Sequence, residues 1–511
     1  MGDYNSPRGI VKHTGEVIVI NQMEENYEAR NIKGRVTIFS VSGCHYCKLA
    51  KQTIDKLLKL PYYEINIDIY PKRREELIEY TNCNTVPQIF FNEFFIGGNE
   101  ELEALVNDKI RLEEILTKIE QEEPPNDIDY LKPIKEEERL ARRGSEKFAT
   151  LNCTPDSYKD LVKKMTDEKK GVEIADRNYR FKVYKNCFIG KEAVTWLCNN
   201  LNVTRPEAVK IGNQLFDKKY FRHVVNDHAF KDKYLYYRFV HHEPQFALNK
   251  NTLSICEARP ASEISSKLRR LILAIYDDFL TVDGKGVDYR GITDSDAFAR
   301  YEQLTIQLQR VDVTSLSENE KKSFFINIYN ALIIHAYVRV GVPSTFFQRM
   351  KFFSNNSYVI GGQLYSLNDI EHGILRCNKR SPSSFYPPFV TSEPRYQIIL
   401  SNLDPRIHFA LVCGAKGCPP IQTYSSNEID DQLDSAAKSF LETGLLIKGN
   451  TITLSKILQW YQPDFGKDTN DMFHYLLPYL SKVKQLALAS LMESKEYRIV
   501  YETYDWSVNS I

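Results

Sequence analysis

Two cysteines separated by His45 and Tyr46 follow a β-branched run, Arg35 to Ser40, and open an apolar-periodic stretch carrying Leu49, Ile54, Leu57 and Leu58. The pattern predicts a strand, a turn and a helix, with Cys44 at the positive end of the helix dipole, where thiolate is favoured over thiol. Cys47, one helical turn on, can close a small disulfide through a mixed-disulfide intermediate. By itself such a pair also suits half of a zinc site. A second concentration of reactive residue types lies in the C-terminal half. Glu371 and His372 follow Ser366 and Asp369, which suit a helix cap, and Cys413 and Cys418 bracket the four residues Gly-Ala-Lys-Gly. These types suit a thiol nucleophile, Cys413 or Cys418, served by His372 and oriented by Glu371 or an asparagine, as in thiol hydrolases and acyl transferases. The same spacing allows a disulfide or half a metal site, and the polar cluster can equally be a device that only fixes a core. Asn327 and Asn330 stand three apart in an otherwise apolar run, hence on one helical face, and buried amides there need partners.

The elements that must position these groups exceed a single core. A chain of 511 residues is expected to form two to four domains. With 42% hydrophobic and 26% charged residues it has ordinary globular composition. Ten cysteines over this length do not form the dense framework of a small secreted domain, so a reducing, cytoplasmic setting is expected. No signal peptide is read at the start. The longest apolar stretch, Phe324 to Val340, is interrupted by Asn327, Asn330, His335 and Arg339, so no spanning helix is expected. Acidic and basic residues balance at 67 each, which argues against a nucleic-acid binder. Locally the balance breaks: residues 153–242 hold 18 Lys and Arg against 11 Asp and Glu, a net of +7. Met1-Gly2-Asp3-Tyr4-Asn5-Ser6 fits the short N-myristoylation pattern, with Asp3 as an unfavourable neighbour.

Residues 34–118 read as βαβαββα, with Pro71 starting a helix and Asn92-Glu93 turning a hairpin. Residues 119–152, rich in proline and in charges of both signs, read as a linker. Helical patterns around Tyr158–Met165, Ala193–Leu197 and from Pro206, closed by a β-hairpin ending in Lys233–Val240, define residues 153–242. A polar stretch, 243–265, reads as a second linker before a larger C-terminal unit, 266–511, with long helices over Leu268–Phe279 and Lys321–Val340 and a strand over Ile407–Val412. On that strand His408, Ala410 and Val412 would share one face, and Phe409, Leu411 and Cys413 the other.

The first segment resembles the glutaredoxin family of the thioredoxin fold, on Cys44/Cys47, Thr85-Val86-Pro87 before a strand, and Gly97-Gly98 before the last helix. The resemblance implies that Cys44 attacks and Cys47 resolves, and that Pro87 is cis, so that the Val86 backbone pairs with glutathione. It also implies that Gly97, Gly98 and the helix start at Asn99 and Glu100 receive the γ-glutamyl end. Val41 stands where the family usually has lysine, and His45 where it usually has proline. This predicts a higher Cys44 pKa and a weaker hold on glutathione, with a protonated His45 as partial compensation. The middle segment resembles the DEP family, on Gly171-Val172-Glu173-Ile174, Arg180 before Cys187-Phe188-Ile189-Gly190, Ala193-Val194-Trp196-Leu197 and Gly212 to Phe221. That resemblance implies docking to a membrane or receptor, in keeping with the basic balance.

The last unit resembles a family known only as domain of unknown function 547, on Phe324 to Leu332, Ser366 to His372, Asp404 to Leu411, Cys413 to Pro420 and Trp460-Tyr461. The expected fold class is therefore multidomain. It comprises an α/β thioredoxin-fold domain, an α+β winged-helix-like DEP domain and a mostly helical α+β C-terminal domain. The expected function is glutathione-linked thiol-disulfide exchange, by way of glutathione or protein thiols, coupled to a docking module. No metal is predicted. The alternatives are a non-catalytic redox-sensing scaffold, or a cysteine-dependent hydrolase or acyl transferase in the C-terminal unit.

Overall fold

The computed structural model describes residues 31–41, 45–67, 70–83, 85–124, 128, 131–133, 153–179, 181–243, 247–250, 252–279, 287–382, 384–412 and 424–504. The myristoylation pattern at Gly2 lies outside them, as do Cys44, Cys413 and Cys418.

The N-terminal unit is built from β1 (Val36–Ser40), α1 (His45–Gln52), β2 (Tyr62–Asn66), α2 (Pro71–Thr81), β3 (Gln88–Phe91), β4 (Phe94–Gly97), α3 (Asn99–Asn107) and α4 (Lys109–Gln121). Its sheet runs β2-β1-β3-β4, parallel between β1 and β2 and antiparallel elsewhere. Alternation along β1 sends Val36 and Ile38 to one core with Ala50, Ile54 and Leu102, and Phe39 to another with Ile65, Leu77 and Phe90. The unit extends past residue 118. Helix α4 continues to Gln121, and Leu131, inside the stretch read as linker, is buried in the second core, its carbonyl accepting from Thr37. Charge density masked the apolar side chain that anchors this segment.

The middle unit contains α5 (Lys159–Met165), β5 (Ala175–Tyr179), β6 (Lys182–Ile189), α6 (Gly190–Leu201), α7 (Arg205–Asp217), β7 (Phe221–His223) and β8 (Tyr236–Phe239), with sheet order β5-β6-β8-β7. Pro206 starts α7 inside a capping box of Thr204 and Glu207. Helices and sheet close over Val162, Met165, Phe188, Leu197, Leu215 and Tyr237.

The C-terminal unit begins with α8 (Ala261–Asp278), α9 (Tyr289–Thr293), α10 (Asp296–Thr305), α11 (Glu318–Val340) and α12 (Phe346–Asn355). A hairpin of β9 (Ser357–Ile360) and β10 (Gln363–Ser366) leads into a π-helical turn, Asp369–Leu375. Then follow α13 (Ile429–Gly444), β11 (Leu445–Lys448), β12 (Thr451–Leu454), α14 (Lys456–Trp460), α15 (Gln462–Phe465), α16 (Thr469–Leu476), α17 (Lys482–Ser494) and β13 (Arg498–Tyr501). Helix α11 is buried on all sides from Ser323 to Tyr337, as its mostly apolar sequence requires, and it carries Asn327, Asn330 and His335 inside with it. No described helix is long and apolar enough to cross a membrane.

Two expectations change. Residues 243–265 are not a free linker. Asn249 is buried, its amide bonding the carbonyls of Thr305 and Val359, and Gln309 bonds the carbonyls of Asn249 and Thr252. A disulfide joins Cys153 to Cys256 across 103 residues, a pairing the composition did not announce. In the chain-entropy picture a closed loop of that length is worth about 4.7 kcal/mol.

The same corner holds a buried ion pair. Arg310 Nη2 lies 2.7 Å from Asp156 Oδ2, and the guanidinium also donates to the carbonyls of Lys218, Ser254 and Cys256 while lying 4.0 Å from the Tyr220 ring centre. Burial works against ionisation of Asp156, but hydrogen bonds from Lys218, Arg310 and the Tyr158 amide outweigh it and bring the carboxyl down to about 2. Asp156→Asn is expected to cost about 3–5 kcal/mol by stranding Arg310, read as a lower denaturation midpoint of the middle and C-terminal units. A carboxyl with a depressed folded-state pKa stabilises above its unfolded value and loses that contribution as pH falls from about 4 to about 2. The variant is expected to lack this part of the acid-unfolding slope.

Candidate functional site

The register of the N-terminal sheet brings three predicted motifs to one end. Phe39 pairs with Gln88, so the C-terminal end of β1 lies beside the start of β3, next to the proline turn. Cys47 is buried in the first turn of α1 and is disulfide-bonded. The Val86–Pro87 peptide is cis. Its loop is held by Gln88, whose side-chain amide donates to the carbonyls of Cys83 and Thr85 at 2.8 and 3.0 Å. Ile89 pairs with Gly97, and a Cβ on Gly98 would stand 3.4 Å from the Pro87 oxygen, so the glycine pair lies against the proline turn. Gly97 has φ +116°, a conformation glycine adopts readily. Gly98 caps α3, its amide donating to Glu101 Oε2 at 2.8 Å. Asn99 is buried, with its side-chain nitrogen on Glu103 and its oxygen without a partner among the described residues. On α1, Lys51 is tied to Glu64 at 2.8 Å.

The C-terminal unit gathers a second polar cluster, and it corrects the sequence reading. Ile407–Val412 is not a strand: Pro405–Phe409 form a 3-10 turn, capped by Asp404 through the Arg406 amide. Proline at the first position and an acidic cap favour a turn, and a short apolar run cannot distinguish strand from buried turn. The supposed alternation of faces along 407–412 is therefore void. His408 points its Nε2 at Asp464 Oδ2, 2.8 Å away, and its ring stacks on Tyr461 with centroids 4.0 Å apart. Asp464 also accepts from Arg376 Nε and Nη2 at 2.6 and 3.1 Å and from Lys379 at 3.0 Å.

His372 and Glu371 stand side by side, but each hydrogen-bonds other groups. Ser366 and Asp369 do cap the turn as expected, each accepting from the other's amide. Beyond it, Glu371 accepts from the hydroxyls of Tyr461 and Tyr329 at 2.5 and 3.0 Å, and stands 3.7 Å from His372 Nδ1. Arg376 Nη1 faces His372 Nδ1 at 3.0 Å. A guanidinium only donates, so Nδ1 accepts and the His372 proton sits on Nε2. The five-residue spacing of the turn, Arg376 amide to Glu371 carbonyl at 2.8 Å, sets this arrangement, a geometry common at functional sites. Gly373 is required there, since a Cβ would come within 2.4 Å of the Phe389 ring.

Burial holds the pKa of both His372 and His408 below the ordinary imidazole range. Burial opposes ionisation of Asp464, yet the bonds from His408 and Arg376 keep its carboxyl well below the usual range. An ionised Asp464 can only accept, so the neutral His408 carries its proton on Nε2 and leaves Nδ1 as the basic nitrogen. Burial pushes the Cys377 thiol up to about 11, which removes it as a thiolate at neutral pH. The carboxylate-oriented imidazole of this cluster is therefore His408. In the sequence, His408 and Tyr461 stand within family motifs that assign them no role, and Asp464 and Arg376 carry no signal at all.

Asn327 and Asn330, on one face of α11, clamp main chain that flanks residues 413–423. Asn330 accepts from the Val412 amide and donates to the Ala410 carbonyl, at 2.9 and 3.1 Å. Asn327 does the same for both groups of Tyr424, at 3.1 and 2.7 Å.

Comparison with known proteins matches residues 36–96 to the glutaredoxin family, 171–239 to the domain found in Dishevelled, Egl-10 and pleckstrin, and 313–441 to the protein family of unknown function DUF547. Relatives include the vacuolar membrane-associated protein Iml1 of Emericella nidulans, 44% identical over 71 residues, 14% of this chain and 4% of the relative. The Schizosaccharomyces pombe protein of that name is 36% identical over 91 residues, 17% of this chain and 6% of its own length. That of Saccharomyces cerevisiae is 32% identical over 84 residues, 16% and 5% respectively. The chain thus spans about a twentieth of the length of these relatives. It joins glutaredoxin, DEP and DUF547 segments in that order.

Replacing Asn330 or Asn327 with alanine is expected to speed hydrogen exchange at the Val412 or Tyr424 amide, respectively, by about tenfold or more, because each loses a buried side-chain acceptor. Unchanged exchange at both amides would contradict the clamp.

Proposed function

We propose that the N-terminal unit is a glutathione-linked thiol-disulfide oxidoreductase, with Cys44 as attacking and Cys47 as resolving thiol. Its main support is the meeting, at one sheet end, of the disulfide-bonded Cys47, the cis Val86–Pro87 turn and the Gly98–Asn99 helix start. The Cys44 thiolate attacks a mixed disulfide and expels one thiolate; Cys47 then attacks the Cys44 sulfur, releasing the second thiolate and closing the disulfide. Two glutathione thiols return the pair to the dithiol, giving up two electrons as they join. In the full chain, reduction of a glutathione mixed disulfide is expected to fall to background in Cys44→Ser. Equal turnover by both proteins would overturn the reading.

The Gly98 amide that would receive the γ-glutamyl carboxylate already serves Glu101. Glu101→Ala frees that donor and removes a like charge, so the KM for glutathione is expected to fall by about three- to tenfold with kcat little changed.

The middle unit is the docking module of this reading, directed at an anionic membrane surface. Its support is the net charge of +7 over residues 153–242 and an exposed Phe181 at the turn between β5 and β6, beside Lys182. The partial likeness to proteins described as vacuolar membrane-associated agrees with it.

One observation favours a second reading, that the C-terminal unit performs acyl transfer or hydrolysis with Cys413 or Cys418 as nucleophile. It is the 2.8 Å bond between His408 and Asp464, which orients the imidazole and leaves its Nδ1 as the nitrogen able to take a thiol proton. A cysteine-directed acyl probe is expected to label this unit, and labelling is expected to fall in His408→Ala while surviving His372→Ala. Labelling insensitive to His408→Ala would dispose of the reading.

A further inference from the structure

Between Glu320 and Asp369 the chain carries five Lys or Arg and no Asp or Glu. Within that stretch the end of α11, the turn 341–345 and the first turns of α12 leave Val340, Val342, Phe346, Phe347 and Met350 exposed, Phe347 to 76%. These side chains are held in place. Thr345 and Gln348 form a reciprocal cap at the start of α12. At 100° per residue, Phe346, Met350 and Phe347 cover one side of the helix, with Arg349 and Lys351 along its two borders. On the opposite side Phe352 is buried and stacks on Tyr337, ring centroids 5.1 Å apart. The helix therefore anchors itself through Phe352 and turns adjacent phenylalanines outward.

An apolar face of this kind, fixed and exposed, marks an interaction surface. Its charge pattern selects the partner. Arg349 and Lys351 border the aromatic side chains, whereas Lys321, Lys322 and Arg339 are ion-paired with Glu318, Asp404 and Glu302; the two bordering cations are the complement of an anionic surface. Phenylalanines and a methionine suit the boundary between headgroups and acyl chains, while arginine and lysine stems lie along the apolar face and keep their charges at phosphate level. We propose that the 340–351 face of the C-terminal unit is an interfacial contact for anionic phospholipid, distinct from the surface assigned to the middle unit.

The test is co-sedimentation of the full chain with phosphatidylcholine vesicles, with and without phosphatidylserine. Wild type is expected to bind only the vesicles containing phosphatidylserine. The exposed double substitution Phe346→Ser/Phe347→Ser is expected to weaken that binding by about tenfold or more at unchanged thermal stability, and Arg349→Gln/Lys351→Gln to weaken it in a salt-dependent way. Phe181→Ser, in the middle unit, serves as comparator. Wild-type-like binding by the double phenylalanine variant would assign all membrane affinity to the middle unit and overturn the proposal. Equal binding to both vesicle types, or none to either, would also overturn it.

Discussion

Arg310 and Asp156 meet out of reach of water. Each side chain is sealed from water, and each is bonded on several sides, the arginine by three carbonyls and a tyrosine face, the aspartate by Lys218 and a backbone amide. A pair of this kind stabilises little relative to an apolar substitute, but it is intolerant of separation, because either charge left alone in that site is strongly unfavourable. Asp156 belongs to the start of the middle unit and Arg310 to the C-terminal one, so the two units act as one body. The reciprocal amide contact of Asn226 with Gln363 extends the same junction. The polar segment around Asn249 and Ser254 is stitched into it by side-chain to main-chain bonds, as buried backbone demands.

Polar groups organise the C-terminal core in the same way. Glu371, His372, Arg376, His408, Tyr461 and Asp464 form one continuous network in which each tautomer is dictated by a neighbour that can only donate or only accept. A fully satisfied network of this kind specifies a single arrangement. Its proximity in sequence to the clamped main chain at Val412 links core and loop: Asn330 acts on backbone that leaves directly from the turn carrying His408, and Asn327 on Tyr424.

What was legible in the sequence was local. Pro71 starts a helix and Asn92 turns a hairpin because each encodes its own backbone conformation, and the proline before β3 is cis as its motif implies. Asn327 and Asn330 were legible too, since a helical period and a buried amide together demand partners. His408 sits on a turn and not on a strand, a distinction that six apolar-rich residues with no period of their own do not encode. The partners that define its chemistry were beyond reach: Asp464 lies 56 residues away and Asp156 lies 154 from Arg310, and no spacing rule relates them. The Cys153–Cys256 pairing was hidden for the same reason, because connectivity does not follow from a list of cysteines.

That disulfide brings the two stretches of chain that enter and leave the middle unit to a Cα separation of 5.1 Å. Tension applied along the chain from the N-terminal unit to the C-terminal one therefore bypasses the intervening fold, passing from one sulfur to the other instead of through the strands. While the bond is intact the module is a side branch on a continuous mechanical line. Once it is cut, the same pull must run through the module, with the Asp156–Arg310 contact the first to bear it.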